Sequence, residues 1–242
     1  MKPECPQRDQ ATTAALAKHE QHVVRCQRCP RLVAWRSHIA RIKRAAYSSE
    51  TYWGQPVPGF GDTSARILII GLAPAAHGAN RTGRVFTGDR SGDFLFGALH
   101  RAGLANQPTS SHSGDGLHLH DVFVTSVVRC APPGNKPTAH ERENCRPFLE
   151  TEFDLLPTAR VLLALGAYAW NQILRIHRAR SPHLHPSNMF RFTHSAEVAI
   201  GTRTLLASYH PSQQNTFTGR LTTDMIDGVI GRACELARKT DL

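Results

Sequence analysis

The amino-acid sequence predicts an α/β fold in which a four-stranded parallel sheet is covered by helices on both faces. Four short segments are almost continuously apolar, which is typical of strands buried on both sides. Segments with apolar residues at helical spacing separate them, and alternating strands and helices favour a parallel sheet. With 242 residues, 40% of them hydrophobic, the chain can bury one substantial core. We therefore expect a single domain over residues 1–242, with residues 1–20 as a helical or flexible N-terminal extension.

The apolar patterns place the individual strands and helices. The strands are residues 65–70, 122–128, 160–165 and 204–208. The helices are residues 91–101, 138–153, 167–178 and 223–238. Thr138 and Glu141 have the spacing of a capping box at the start of the second helix, and Pro147 is expected to bend or divide that helix. Residues 105–120 and 178–197 show no clear periodicity and are predicted as surface loops.

Polar and turn-forming residues follow each predicted strand. The four strands run into the segments GLAPAAHG, RCAPPGNK, GAY and YHPSQQN. Open parallel sheets bind ligands beyond the carboxyl ends of their strands. The sequence therefore predicts that these four segments converge on one cleft.

The charge balance favours a polyanionic partner. The formal net charge is +10, from 29 Lys and Arg against 19 Asp and Glu. Residues 25–44 hold seven basic residues and no acidic one, which makes them a candidate phosphate-contacting face. A basic surface that serves only solubility is the alternative. The apolar runs are too short to span a membrane and the N-terminus lacks the apolar stretch of a signal peptide, so we expect a cytoplasmic protein without membrane contact.

The spacing of four cysteines suggests a metal site, because a reducing compartment disfavours a disulfide framework. Cys26 and Cys29 form a C-x-x-C pair, and fourteen residues separate Cys130 from Cys145. Four thiolates can hold zinc or an iron–sulfur cluster. A zinc ribbon usually has two tight pairs, so the single tight pair favours the cluster, with two unrelated pairs of buried thiols as the alternative. The two other cysteines lie near the chain ends without predicted partners.

Five blocks of sequence together resemble the iron–sulfur uracil-DNA glycosylases. In chain order, from residue 26 to residue 222, they are CQRCPRLVAWR, YWGQPVPGFGD, GLAPAAHGANRTGRVFTGD, VRCAPPGNKPT and ASYHPSQQNTFTGRLT. The chain is more similar to family 5 (the UDGb type) than to family 4. Family 4 has a carboxylate in the motif after its first strand, whereas this chain has apolar Leu72 and Ala75 there.

This resemblance implies a fold, a cofactor and a reaction. The fold is a three-layer α/β/α arrangement with a central four-stranded parallel sheet, as in uracil-DNA glycosylases. The reaction is hydrolysis of the bond between a damaged base and deoxyribose. The cofactor is a [4Fe-4S] cluster, since the four paired cysteines fall on the ligand positions of the family: Cys26, Cys29, Cys130 and Cys145.

Three residues are expected to carry the chemistry, in which a flipped base leaves an oxocarbenium-like sugar. Asp89 is expected to activate water and stabilise the sugar cation, although a cap on the helix that starts near residue 91 would also explain an aspartate there. His210 is expected to donate to the leaving base while neutral, or to stay protonated beside the developing anion. Asn135 is expected near the DNA and the active site, although turn chemistry alone would explain an Asn after Gly134.

A larger group of residues is expected to bind the base or the DNA backbone. Phe86 is the candidate base-stacking ring, with an ordinary core phenylalanine as the alternative. The other members offer amides, hydroxyls or cations that suit phosphate oxygens. The expected contacts are Gly71, Ala73, His77, Asn80, Arg81, Arg84, Phe86, Lys136, Ser212, Gln213, Asn215 and Arg220.

The resemblance also bears on base specificity. Ser126 stands where family-4 relatives tend to have an Asn that reads the pyrimidine edge, and a hydroxyl reads less. We therefore expect removal of uracil and of other deaminated bases, hypoxanthine and xanthine among them, from double-stranded DNA. No lysine is placed as an obvious Schiff-base nucleophile, so we expect a monofunctional enzyme that leaves an abasic site. It would act as a nucleoid-associated monomer.

Two other functions compete with this reading. A basic cysteine–metal module that binds nucleic acid without catalysis would explain the charge and the cysteines, but it leaves Asp89, His210 and the converging strand ends unused. Replacing Asp89 with Ala separates the two, because DNA binding should survive in both cases and base release should collapse only in an enzyme. A nucleotide hydrolase is disfavoured, since the chain lacks a G-x-x-x-x-G-K-[ST] phosphate loop.

Overall fold

A computed structural model describes residues 6–181 and 190–238, and a mixed sheet of six strands forms its centre. In chain order the strands are β1 (Phe60–Gly61), β2 (Ile67–Gly71), β3 (Val122–Ser126), β4 (Val161–Leu165), β5 (Glu197–Ile200) and β6 (Arg203–Ser208). Across the sheet they lie in the order β1-β3-β2-β4-β6-β5. The chain therefore crosses over repeatedly, as helix-connected parallel strands require.

The four predicted strands form the parallel centre of this sheet. Ile69 of β2 lies opposite Val124 of β3 and Leu163 of β4, and β4 pairs in parallel with β6. The strands β1 and β5 add antiparallel edges to β3 and β6. The apolar pattern did not reveal them, because β1 has two residues and β5 is mostly exposed, so neither has the continuous hydrophobicity of a central strand.

Helices cover both faces of the sheet. They are α1 (Pro6–Val24), α2 (Pro30–Ile42), α3 (Ala79–Thr82), α4 (Arg90–Arg101), α5 (Ala139–Leu155), α6 (Ala167–Arg180), α7 (Gln213–Phe217) and α8 (Thr223–Arg238). Along β2, Ile67 and Ile69 pack with α4 and α8, whereas Leu68 and Ile70 pack with α1, α2, α5 and α6. This alternation gives two hydrophobic cores, one on each face, and confirms the three-layer α/β/α prediction.

The start of α5 confirms the predicted capping box. The Thr138 hydroxyl accepts a hydrogen bond from the Glu141 amide at 3.2 Å, and the Glu141 carboxylate accepts one from the Thr138 amide at 2.7 Å. The expectation that Pro147 divides this helix is wrong, because α5 continues to Leu155. Buried residues on both sides of the proline, among them Cys145 and Phe153, hold the helix against the core.

The N-terminal segment is helical over Pro6–Val24. Its buried Leu16 belongs to the core that also holds α5 and α6. Within the described ranges, no helix combines the length and the hydropathy that a membrane crossing needs.

Candidate active site

A cleft of about 460 Å³ lies at the carboxyl ends of the four parallel strands. Each strand end contributes to its lining, as the sequence predicted: Gly71 closes β2, Ser126 closes β3, Leu165 closes β4, and His210 follows β6. Of the residues predicted to act on substrate or DNA, nine line this cleft. They are Gly71, Ala73, Phe86, Asp89, Asn135, His210, Ser212, Asn215 and Arg220.

Asp89 occupies the N-cap of α4 and faces the cleft. Its Oδ1 accepts a hydrogen bond from the Gly92 amide at 3.0 Å, so the cap role considered for this residue is real. The same carboxylate lines the cleft, so the cap and a functional role do not compete. Burial raises the pKa of Asp89, while the amides of Gly92 and Ser91 and the charge of Arg81 act in the opposite direction.

Three glycines leave room for the side chains that shape this part of the cleft. A Cβ on Gly78 would stand 2.1 Å from Asp89 Oδ2, and a Cβ on Gly71 would stand 2.8 Å from the Phe86 ring. A Cβ on Gly92 would lie 1.7 Å from the Phe86 carbonyl oxygen. Phe86 itself has a positive φ of 53°, a conformation unusual for a bulky residue. The positions of Asp89 and Phe86 therefore depend on neighbours without side chains.

His210 follows β6, and its ring lies beside Phe86 with 5.8 Å between ring centroids. Burial lowers the pKa of His210 to about 4, so the imidazole is neutral at physiological pH. The Asn215 side chain donates to the His210 carbonyl oxygen at 2.8 Å and holds this corner of the loop. Of the two protonation states that the sequence left open for His210, the structure favours the neutral one.

Asn135 lies on the opposite side of the cleft, in a single 3₁₀ turn over Pro133–Asn135. Its φ is +56°, so Asn135 adopts the left-handed conformation that turn chemistry predicts, and it is also exposed to the cleft. Lys136 is exposed but lies outside the cleft lining. Ser126 is buried at the cleft floor, where its hydroxyl donates to the Val128 carbonyl oxygen at 2.9 Å.

The loop after β6 places several polar groups at the mouth of the cleft. Ser212 caps α7 by accepting a hydrogen bond from the Asn215 amide. Arg220 is exposed, and its guanidinium lies 4.7 Å from the centroid of the Tyr209 ring. Gln213 does not line the cleft, whereas the next residue, Gln214, does.

Asn80 and Arg81 are placed differently from the phosphate contacts that the sequence predicted. Arg81 is 8% exposed; it donates to the carbonyl oxygens of His77 and Gly88 at 2.9 and 3.0 Å and pairs with Glu50. Asn80 is fully buried, and its amide nitrogen donates to the Arg36 carbonyl oxygen at 3.3 Å. Both side chains therefore connect loops inside the protein and do not reach its surface.

Arg84 is buried as well, and His77 is half-buried with a protein partner. Arg84 is 7% exposed; its Nη2 lies 2.7 Å from the Asp115 carboxylate and 2.8 Å from the Ser110 hydroxyl. His77 accepts or donates a hydrogen bond with the Tyr52 hydroxyl at 3.0 Å, and burial lowers its pKa. The expectation that Arg84 grips phosphate does not fit a buried ion pair, because a charge already paired inside the protein is not available to DNA.

The four cysteines singled out by their spacing come together between α2 and α5. Cys29, Cys130 and Cys145 are buried in the same core, and Cys26 is partly exposed. Burial, together with the neighbouring thiols, raises the pKa of Cys130 to about 12 and that of Cys145 to about 11. Buried arginines oppose this: Arg36 acts on Cys130 and Arg129 acts on Cys145.

Polar contacts fix the two cysteine segments to each other. The Asn144 side chain donates to the Cys29 sulfur at 3.5 Å, and Arg28 donates to the Asn144 carbonyl oxygen. Arg31 of α2 forms a bidentate pair with Glu141 of α5, with N–O distances of 2.8 and 2.6 Å. Over the described part of the chain, no three His, Cys, Asp or Glu side chains form a group that could hold a single metal ion.

Several aromatic and polar residues of the cleft were not found from the sequence. Tyr168 follows β4 in the segment GAY, so its position at a strand end was a usable signal. Tyr209 belongs to the segment YHPSQQN, which the sequence placed at the cleft without singling out this residue. Phe192 also lines the cleft, but it lies in an irregular segment that no apolar pattern marks.

Comparison with known proteins gives a consistent result. The profile of the Uracil DNA glycosylase superfamily matches residues 58–231. A protein of Mycobacterium leprae named type-5 uracil-DNA glycosylase is 52% identical over 215 residues, which are 88% of this chain and 91% of that protein. Proteins of the same name are 51% identical in Thermus thermophilus (90% of this chain, 96% of the relative) and 47% identical in Pyrobaculum aerophilum (87% and 88%).

Proposed function

The chain belongs to the uracil DNA glycosylase superfamily and, within it, to the type-5 uracil-DNA glycosylases, and we propose that it removes uracil from DNA by hydrolysing the bond between base and deoxyribose. One observation carries the proposal: a half-buried carboxylate and a neutral imidazole, Asp89 and His210, line the same cleft at the carboxyl ends of the parallel strands. Hydrolysis leaves the oxygen of water on the sugar and a proton on the departing base.

Asp89 would act on the sugar side of the reaction. As the C–N bond breaks, positive charge develops on deoxyribose, and a carboxylate in a site shielded from water stabilises that charge more than one in solvent. The same group can accept a proton from the attacking water. Its anchoring at the start of α4 through the Gly92 amide supports a fixed orientation for this role.

His210 would act on the base side. A neutral imidazole carries one N–H, which can donate a hydrogen bond to a base oxygen as negative charge accumulates there. The low pKa of His210 means that the group needs no proton from solvent to take this role. The adjacent Phe86 ring offers a face on which a flipped base can stack.

The DNA would approach over the cleft mouth. Ser212, Asn215, Arg220 and Asn135 stand there with their hydroxyl, amide or guanidinium groups, which suit phosphate oxygens without reading sequence. The net charge of +10 supports binding to duplex DNA. Since no lysine is part of the cleft lining as the structure describes it, we propose a monofunctional enzyme that leaves an abasic site.

The cleft floor bears on which bases are accepted. The Ser126 hydroxyl is already engaged with the Val128 carbonyl oxygen and offers little discrimination along the pyrimidine edge. Backbone and apolar groups of Gly71–Ala75, Val85 and Leu165 supply most of the remaining floor. A site with few hydrogen-bond donors that require a particular base discriminates weakly between related bases. We therefore propose that hypoxanthine and xanthine are also removed.

We further propose that Cys26, Cys29, Cys130 and Cys145 hold a [4Fe-4S] cluster. The donor set fits, because four thiols influence one another electrostatically and the buried cations Arg36 and Arg129 offset the charge of their thiolates. A cluster is wider than one ion, and its ligand sulfurs stand further apart than the roughly 3.7 Å that Zn–S bonds of about 2.3 Å impose on a tetrahedral zinc site. When bound, such a cluster cross-links segments that are distant in sequence.

The activity test uses duplexes with one uracil, followed by alkali to reveal abasic sites. The purified protein should produce strand breaks at the uracil position only after alkali. Asp89→Ala should lower the rate by roughly 100-fold or more, in the range of general acid–base contributions, while DNA affinity stays close to that of the wild type. Asp89→Asn is the matched control for the helix, because Asn caps as well as Asp does but carries no charge.

Two outcomes would contradict the proposal. Wild-type protein that leaves uracil in place would reject the glycosylase function and favour a DNA-binding module without catalysis. An Asp89→Ala variant as active as the wild type would reject the role of this carboxylate. A parallel duplex with hypoxanthine opposite thymine tests the breadth of the reaction, which fails if uracil is released and hypoxanthine is not.

A further inference from the structure

Arg81 is a buried arginine, and each nitrogen of its guanidinium has a partner. Nε and Nη2 donate to the carbonyl oxygens of His77 and Gly88 at 2.9 and 3.0 Å, and Nη1 pairs with Glu50. The Tyr47 ring covers one face of the guanidinium, with 3.9 Å between the ring centroid and Cζ. These contacts fix the orientation of the group, since a planar guanidinium cannot rotate without breaking them.

The two carbonyl groups belong to the two backbone segments that meet at the Asp89 carboxylate. Gly88 directly precedes Asp89, and His77 directly precedes Gly78. A Cβ on Gly78 would stand 2.1 Å from Asp89 Oδ2, so the backbone at Gly78 lies against the carboxylate. Arg81 therefore joins the segment that carries the carboxylate to the segment packed against it.

The backbone at Gly88 comes very close to this guanidinium. A Cβ on Gly88 would lie 2.4 Å from Arg81 Nη2, and the φ of Gly88 is +75°, in the left-handed region that favours glycine. The contact between Arg81 and the residue before Asp89 has room because position 88 has no side chain.

We propose that Arg81 is a positioning residue for base excision, which holds the Asp89 carboxylate in place by tying together the two segments around it. The inference rests on the proposed function, since it takes Asp89 as the carboxylate of that reaction. Arg81 itself is 8% exposed and lies outside the cleft lining, so it acts through Asp89 and not on the substrate. A displacement of about 1 Å in a catalytic group can cost roughly 100-fold in rate.

Arg81 also acts on the charge of the carboxylate. Burial and the charge of Asp93 raise the pKa of Asp89, whereas two backbone amides and the charge of Arg81 lower it. Glu50, the partner of Arg81, is 43% exposed, so solvent screens its charge more than that of the buried guanidinium. The cation therefore favours the ionised form of Asp89 that stabilisation of a sugar cation requires.

The experiment measures single-turnover uracil excision from about pH 5 to about pH 8 in the wild type, Arg81→Met and Arg81→Lys. Arg81→Met removes the charge and both hydrogen bonds. Its maximal rate should fall by roughly 10- to 100-fold, and the midpoint of the rise in rate with pH should move to higher pH. The protein concentration that gives half the maximal rate should stay the same, because Arg81 does not contact DNA.

Arg81→Lys tests the hydrogen bonds apart from the charge. A lysine keeps the charge, but its single amine cannot reproduce the fork that reaches both carbonyl groups. The midpoint should therefore stay at the wild-type pH while the maximal rate falls in part. His210 adds no titration in this pH range, since its pKa is about 4. Arg81→Gln replaces Arg81→Met if the latter does not fold, because it also removes the charge.

Two controls separate positioning from a loss of stability. Arg84→Met removes another buried arginine, which is paired with Asp115, so it should lower the melting temperature without moving the midpoint. Burial and the charges of Arg44 and Arg81 lower the pKa of His77. A His77→Gln background removes this titration, and the shift caused by Arg81→Met should persist there.

An Arg81→Met protein with the maximal rate of the wild type would overturn the inference. A lowered rate with an unmoved midpoint would show a merely structural role and would overturn it too. So would a shift that disappears in the His77→Gln background, or an equal shift in Arg84→Met. Wild-type protein that leaves uracil in place would instead reject the proposed function.

Discussion

Removing the cation of the buried Arg84–Asp115 ion pair tests whether Arg84 stabilises the fold or contacts DNA. The sequence suggested a phosphate contact, whereas the structure pairs Arg84 with Asp115 inside the protein, their side chains 8% and 6% exposed. Burial alone would raise the pKa of Asp115, but hydrogen bonds from Arg84 and from the Leu117 and Ser111 amides lower it to about 2. The Asp115 carboxylate is therefore charged at neutral pH, and Arg84 supplies the cation that balances this buried charge.

Arg84→Met removes the cation and leaves that charge buried. Breaking a buried pair in this way costs about 3–5 kcal/mol, because the remaining ion is neither solvated nor paired. For a protein of this size 1 kcal/mol corresponds to roughly 2–4 °C, so we expect the melting temperature to fall by roughly 6–20 °C. Adding Asp115→Asn should restore part of the loss, since the amide oxygen can still accept from the backbone without carrying a charge. Calorimetry of the three proteins measures both effects.

DNA binding at several salt concentrations completes the test. Loss of one phosphate contact lowers the slope of log K against log salt by about 1, and Arg84→Met should leave that slope unchanged. Arg220→Met is the matched control, because Arg220 is exposed at the cleft mouth and should lower the slope with little effect on stability. An Arg84→Met protein that is as stable as the wild type and shows a reduced slope would refute the stabilising role of the buried ion pair. It would support the phosphate contact that the sequence suggested.

Three further predictions follow from the site. The rate of uracil excision should rise with pH through the raised pKa of Asp89 and then reach a plateau, since the carboxylate must be ionised. His210 should add no titration near neutrality, because its pKa is about 4. A loss of activity on raising the pH from 6 to 7.5 would contradict this prediction. Gly78→Ala should displace the Asp89 carboxylate and cost roughly 100-fold in rate, whereas Gly228→Ala, with nothing within 4 Å of its Cβ, should keep full activity. Cys145→Ser should lose bound iron and visible absorbance and fold poorly, whereas Cys234→Ser should retain both, as iron analysis of the two proteins would show.

The sequence predicted those parts of the fold that depend on local patterns. Continuous apolar runs located the four central strands, and the rule that parallel sheets bind ligands at their carboxyl ends located the cleft. The edge strands β1 and β5 were not predicted, because a two-residue strand and an exposed one lack the hydrophobic signal. Pro147 was expected to bend or divide α5; the helix is not divided, and buried residues on both sides of the proline pack it against the core.

Side-chain partners were harder to predict than positions. The sequence predicted Arg81 and Arg84 in a loop after β2, whereas Arg81 lies in the short helix α3 and only Arg84 lies in a loop. The sequence does not show whether such an arginine faces solvent or pairs with a carboxylate such as Asp115. Only the fold brings residues 84 and 115 together. Asp89 shows the opposite case: the sequence offered a helix cap and a cleft acid as alternatives, and the structure assigns both positions to one carboxylate. Spacing and sheet topology suggested that the four cysteines share one site, and the cluster that they would hold stays a prediction.

Arg36 links the cysteine-bearing segment to the segments that hold Gly54 and Asn80. Its guanidinium donates to the carbonyl oxygens of Cys26 and Gly54, and its own carbonyl oxygen accepts from Asn80, which in turn accepts from the Gly54 amide. Asn80 lies in α3, two residues after the glycine that leaves room for Asp89. Local opening of any one of these segments removes hydrogen bonds from the other two. Hydrogen exchange of the Gly54 amide should therefore report local opening of the segment around Cys26, which lies 28 positions earlier in the chain. The position of the Asp89 carboxylate then depends in part on how stably that segment is folded.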